Sequence, residues 1–311
     1  MTTALNTQTT KIPVKSQAKQ ALGTTVNIPP RRMDFNFDAV NAPRYFYGND
    51  PFLSTFWDTF SSLLPEGESF FVEAVRHYRE QITDPTLKAQ VSGFIGQEAM
   101  HSKEHDAFNA MLRAKGFPVD KLDHDVGQLL KFAQKILPQS MQLAATVCLE
   151  HYTAIMAEQL LRDKNHQAMM QDPEALKMWL WHALEENEHK TVAYDVYEQV
   201  VGSYALRSFT MIPTTIILFA VMAYFQGRLL AADGQLLNVR QNIKGFRFLF
   251  GYKKGLFPKL IPQFFDFFRK DFHPSQHDTT ALLEQWRTLL FSKDEGILYQ
   301  QVKNKAAVGL H

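Results

Sequence analysis

The chain has 311 residues, with 33 Lys and Arg against 32 Asp and Glu, and a single cysteine. That length can bury a large core, as one big domain or a domain with appendages. A net charge of +1 argues against a nucleic-acid partner held by phosphate neutralisation, and Cys148 alone allows neither an intrachain disulfide nor a thiolate metal site.

Residues 1–30 are polar, poor in acids and aromatics, and end in Pro29-Pro30. They read as a flexible tail without an apolar core long enough for a secretory signal. From Arg31 to about Asp50 runs an irregular stretch with Phe35, Phe37, Tyr45, Phe46 and Tyr47, expected to pack against helices that follow. A helical segment from about 52 to 64 leads into a helix that carries Glu68 and runs to about Thr83. A second helix is expected over about 85–115, a third over about 138–163 with Glu150, and a fourth from Pro173 to about Val201, where Gly202 offers a stop. Strand alternation is absent, so the expected class is all-α: a four-helix bundle over 31–203 and a helical, Phe-rich extension over 204–311.

The second and fourth helices each carry a Glu-x-x-His pair, Glu98/His101 and Glu186/His189, and each opens with Asp-Pro, at Asp84-Pro85 and Asp172-Pro173. Asp caps free N–H groups and Pro suits a first turn, so each pair sits about four turns into its helix. One Glu-x-x-His carries little information, since about one arises by chance in a chain this long. The repeated order of upstream glutamate, cap and pair carries more. Positions i and i+3 share a helix face, so Glu68, Glu98, His101, Glu150, Glu186 and His189 give four carboxylates and two imidazoles for a two-metal site inside a bundle. Hard oxygens and imidazoles suit iron, with manganese or zinc as alternatives. His105 follows His101 by one turn and His182 precedes Glu186 by one turn; each is an extra ligand, a proton shuttle or a histidine bonded to a neighbour. A carboxylate near His101 and His189 is expected to hold their outer nitrogens. Cys148 and His151, which flank Glu150, read as packing.

Between Arg207 and Arg228 no residue is charged, which is just enough to span a hydrocarbon core or to form a long buried helix. Over 240–270, Arg240, Lys244, Arg247, Lys253, Lys254, Lys259, Arg269 and Lys270 interleave with phenylalanines and face only Asp266. That composition suits an anionic membrane surface or a lid with solvated rims. The run closes on Phe272-His273-Pro274-Ser275-Gln276-His277-Asp278, an additional metal site or a packed turn.

The paired Glu-x-x-His helices resemble the ferritin-like di-iron carboxylate superfamily, and the short upstream spacing is similar to its membrane-associated quinone hydroxylases. By that resemblance Glu98 and Glu186 would bridge two ions, Glu68 and Glu150 would be terminal, and His101 and His189 would each take one metal. From Arg31 onward the chain also resembles a bacterial family catalogued as predicted metal-dependent hydrolases, through RRMDFNF, PRYFYGNDPFLSTFWD, GQEAMHSKEHDAF, EENEHKTVAYDVY and FHPSQHD.

Three functions follow as expectations. The leading one is a di-iron oxidase or oxygenase that uses dioxygen and an electron donor to oxidise a lipophilic small molecule, in the cytoplasm with contact at the inner membrane face. The alternative is two-metal hydrolysis by the same six ligands. Iron storage is a third, which the Phe-rich extension fits poorly.

Overall fold

The computed structural model describes residues 28–253 and 255–308. Residues 1–27, on which most of the expected flexible tail falls, lie outside the described residues, as do Lys254 and 309–311. Among the described residues the structure is all-α, with no strand beyond an isolated antiparallel bridge between Tyr47 and Met170.

Helix α1 (Pro51–Arg76) begins where the Asp50 carboxylate accepts the Phe52 and Leu53 amides at 2.9 and 3.1 Å. It is one continuous helix, where a segment leading into a separate helix was expected, even though Pro65 lies inside it. Proline cannot donate to the carbonyl four residues back. Asn109 Nδ2 of α2 (Pro85–Ala114) donates to that Ser61 carbonyl instead, at 3.1 Å. Helix α3 (Val119–Ile136) was not anticipated; it buries only Val119, Leu122, Val126 and Gly127, against α1.

Helices α4 (Gln139–Arg162), the short α5 (Lys164–Met169) and α6 (Pro173–His189) follow, α6 capped by Asp172 through the Glu174 and Ala175 amides. The expected fourth helix breaks after His189, and α7 (Val192–Val200) is separate. At the break Lys190 Nζ reaches the His277 carbonyl at 2.5 Å and Thr279 Oγ1 at 2.9 Å.

The four helices that carry the paired motifs close a ring of contacts: α1 on α2, α2 on α6, α6 on α4, and α4 back on α1. Around it wrap α8 (Tyr204–Ala232) on α4 and α1, α9 (Val239–Phe250) on α1, α10 (Leu256–Asp266) on α4 and α9, and α11 (Thr280–Phe291) on α6 and α4. Helix α8 is long and apolar enough to cross a membrane by length and composition. Only 22% of its most apolar window is buried, so it is not a core helix; Phe209, Ile212, Ile216 and Ile217 face outward. Its first turns are anchored by Arg207, buried against the Phe267 and Arg269 carbonyls and over the Tyr194 and Phe267 rings.

The chain before α1 is threaded into the fold. Ile28 is buried on α2, where a Cβ at Gly93 would overlap its carbonyl oxygen, and Pro30 lies so close to Gly96 that a Cβ there would overlap its ring. Residues 28–30 therefore pack, where a tail was expected. The absence of side chains at Gly93 and Gly96 lets them do so.

Candidate metal centre

Inside the helix ring, two groups of side chains bring ligand atoms within 4.8 Å of one another: Glu68, His101, His182 and Glu186 in one, and Glu98, Glu186 and His189 in the other. Glu186 belongs to both. Its Oε1 lies 2.9 Å from His182 Nε2 and 3.8 Å from His101 Nδ1, and its Oε2 lies 3.7 Å from His189 Nε2. Glu98 also spans the groups, 2.9 Å from His189 Nε2 and 4.0 Å from His101 Nδ1. Glu150 falls in neither but stands beside the second, with Oε2 3.6 Å from His189 Nε2. All six residues singled out from the sequence thus meet in one buried centre, joined by His182.

The donor set fits metal ions on its own chemistry. Glu68 Oε1, both oxygens of Glu98 and of Glu150, Glu186 Oε2, His101 Nδ1 and His189 Nε2 are buried without a hydrogen-bond partner. Buried polar atoms are nearly always paired, and so many convergent exceptions mark a place for cations. Burial pushes Glu68, Glu98 and Glu150 above the usual carboxylate range. It pushes Glu186 the same way, but the imidazoles of His182 and His189 beside it hold that carboxylate well below the range. Burial lowers His101 and His105, whereas the Glu98 and Glu186 carboxylates outweigh burial at His189 and raise it well above the usual imidazole range.

The outer nitrogens of the imidazoles are held in place. His101 Nε2 donates to Glu185 Oε2 at 3.1 Å, leaving Nδ1 facing Glu98 and Glu186. His189 Nδ1 donates to Gln97 Oε1 at 3.0 Å, leaving Nε2 inward. The expected carboxylate partner exists for His101; for His189 an amide takes its place. Both are tied to one cation. Arg31, fully buried, donates to Glu185 at 2.8 Å and to Glu188 at 2.8 and 2.9 Å, and Glu188 accepts Gln97 Nε2 at 2.9 Å. Burial works to raise Glu188, but Arg31 and Arg287 hold it down at about 2.

The tautomer of His182 follows from a chain of bonds. Asn109 Nδ2 donates to the Ser61 carbonyl, so Asn109 Oδ1 is the acceptor of the Ser61 hydroxyl at 2.9 Å. Ser61 Oγ, having donated, accepts His105 Nδ1–H at 2.8 Å. His105 Nε2 is then an acceptor, and His182 Nδ1 must donate to it, also at 2.8 Å. The lone pair of His182 Nε2 is left facing Glu186, with Glu68 Oε1 at 3.9 Å. Of the two extra histidines, His182 reaches the centre and His105 acts only through it.

The other candidates lie elsewhere. His273 Nε2 bonds Asp195 at 2.8 Å and His277 Nε2 bonds Asp266 at 3.0 Å, and among the described residues neither histidine enters a metal-compatible group; these bonds tie the segment down as a packed turn. His151 donates to the Gln263 carbonyl and Cys148 is buried beside Arg207, both in packing roles. Arg31, Gln97, Glu185 and Glu188 went unremarked in the sequence as partners of the centre. Their signal was adjacency to ligands: Gln97 precedes Glu98, while Glu185 and Glu188 flank the second pair.

A buried cluster of carboxylates and imidazoles in an all-α ring is a metal-dependent helical protein. The chain belongs to the family described as predicted metal-dependent hydrolase, whose model matches residues 29–278. No curated protein and no solved structure matches the chain. The family membership overturns the leading expectation of a di-iron oxidase or oxygenase, and with it the oxidoreductase assignment. The physical reason for the error is plain: oxygen and imidazole donors serve Lewis-acid and redox ions alike, so the ligand set alone does not select the chemistry.

Proposed function

We propose that the protein is a two-metal hydrolase whose ions are held by Glu68, Glu98, His101, Glu150, His182, Glu186 and His189. The observation that carries this reading is the convergence of buried, unpartnered ligand atoms in a member of a metal-dependent hydrolase family. Zinc or manganese would suit donors of this kind, and Glu186, which belongs to both groups of side chains, would help hold either ion. Bound ions would lower the pKa of a water and polarise the oxygen of the scissile group.

The chain's own residues set the geometry. Glu185 and Gln97 fix which nitrogen of His101 and of His189 faces inward, and Arg31 fixes both of those partners. Ser102 Oγ donates to Glu68 Oε2 at 2.8 Å and leaves Oε1 free. The chain from His182 through His105 and Ser61 to Asn109 keeps a proton on His182 Nδ1. Beside His182 and Glu186 lies a cavity of about 20 Å³, lined otherwise by groups such as Trp57 and Phe60. It has room for about one water, and its apolar walls exclude others.

The exposed apolar face of α8 and the outward cations of α9 and α10 (Arg240, Lys244, Arg247, Lys259) support a place at a membrane surface, on the cytoplasmic side. The test of function is reconstitution with zinc or manganese under argon, followed by chromogenic carboxylic and phosphoric esters. Turnover that is lost with chelator and in Glu186→Ala is expected. A fully loaded protein that cleaves none of them, or turnover that requires dioxygen, overturns the reading.

A further inference from the structure

The proposed hydrolase site explains the small cavity beside Glu186, but a second and much larger one touches it. This cavity, about 420 Å³, lies between α1, α4, α8, α9 and the start of α10. Folded cores rarely leave voids larger than a water. The volume falls instead within the range of about 300–1,000 Å³ usual for ligand sites.

Three observations say what it takes. Its walls carry no carboxylate, ammonium, guanidinium or imidazole, and are mostly Phe, Leu and Met. Its mouth is apolar, because the rim residues Leu236 and Phe246 are 48% and 54% exposed. Its inner end is shared with the small cavity: Phe60 and Met156 line both, and beyond them stand His182 and Glu186. Met156 is unbranched and adaptable, so what separates the two spaces is side chain and can move.

We infer that the large cavity holds a long, unbranched aliphatic chain, and that the substrate of the proposed site is an ester of a fatty acid whose acyl carbon reaches Glu186 past Phe60 and Met156. This rests on the hydrolytic reading for the reaction but not for the binding. In the reaction the acyl carbon gains the oxygen of water and the ester C–O bond breaks. The alcohol leaves with one proton, and the other stays with the fatty acid or is released from it.

The test is calorimetric titration of the protein with sodium octanoate, decanoate and dodecanoate. Burying a methylene tightens binding about fourfold, so affinity should climb by about that factor per carbon. Gly227→Leu puts a side chain into the cavity from α8. A Cβ at Gly227 meets nothing within 4 Å, and the variant removes a mid-helix glycine, so folding is preserved. The chain-length gain should vanish in Gly227→Leu and shrink in Leu236→Trp at the rim, with metal content and thermal unfolding as controls. Glu186→Ala should keep it while losing metal. Flat affinity across the three acids, or a gain that survives both cavity variants, overturns the inference. Chain-length-dependent binding without hydrolysis of a dodecanoate ester would sink the proposed reaction and leave the pocket standing. Ester turnover indifferent to chain length would do the reverse.

Discussion

Replacing Arg31 by Met would test whether one buried cation organises both imidazoles of the repeated pairs. The guanidinium is 1% exposed and makes three charge-assisted bonds, at 2.8, 2.8 and 2.9 Å, to Glu185 and Glu188. Removing one partner of a buried ion pair costs about 3–5 kcal/mol, because the other charge is left without compensation. Here the lower end applies. Glu188 keeps Arg287 at 2.7 Å, and Glu185 keeps the Trp181 indole at 2.9 Å. With a urea slope of about 3 kcal/mol per molar, a loss of about 3 kcal/mol moves the unfolding midpoint of the metal-free protein by about 1 M. A second effect should appear in metal binding. Glu185 and Gln97 would lose their anchor, and loss of such outer support weakens metal affinity about 10–100-fold. Urea unfolding monitored by tryptophan fluorescence and competition against a chromophoric chelator would read the two effects. The double variant Arg31→Met/Glu185→Leu should recover part of the lost stability but none of the lost affinity. An unmoved midpoint together with wild-type metal affinity would refute the reasoning.

Removing the His182 imidazole (His182→Ala) should cut bound metal from two ions toward one, whereas His105→Ala should weaken metal binding by about tenfold at saturating stoichiometry of two; elemental analysis after dialysis decides, and equal loss in both would put His105 among the ligands. Asp58 is buried, neither of its oxygens has a partner, and burial raises it well above the usual range. The unfolded chain releases this proton near pH 3.9 and the folded chain keeps it, so stability is lost as pH rises above that value, by up to about 1.4 kcal/mol per unit. Asp58→Asn should therefore gain on wild type as the pH rises above about 4 in urea unfolding, and a constant difference would show that Asp58 is ionised in the fold. Gly93→Val should cost about 1–3 kcal/mol by overlap with Ile28, while Gly67→Ala, where a Cβ meets nothing within 4 Å, should gain about 0.5–1 kcal/mol; thermal shifts of the same sign in both would contradict the packing described.

What could be read from the sequence was local. Asp84 and Asp172 cap their helices as their Asp-Pro pairs implied, and the i, i+3 spacing turned Glu98 with His101 and Glu186 with His189 toward one centre. Helix α3 escaped because its apolar positions are few and its core contact is narrow. The break after His189 escaped because it goes with a long-range contact, Lys190 to the His277 carbonyl. Arg31 escaped for the same reason: it sits in an irregular segment, and Glu188 lies 157 residues away.

The error over chemistry has a different origin from these geometric ones. Helical periodicity reports which side chains share a space, and the donor atoms report that cations belong there. Neither reports whether the ion changes oxidation state. What can approach the centre is set one layer out. Phe60 and Met156 occupy that layer, between Glu186 and an apolar cavity formed with the helices that follow the ligand-bearing ring. Part of the Phe-rich extension faces it: Phe246, Phe250 and Phe257 wall the cavity. If chain length governs binding, then specificity resides in the C-terminal helices and reactivity in the ring. Substitutions at Phe246 or Gly227 should then change which chains bind while leaving the metal content of Glu98 and Glu186 untouched. Loss of metal from those variants would mean the two layers are one cooperative unit.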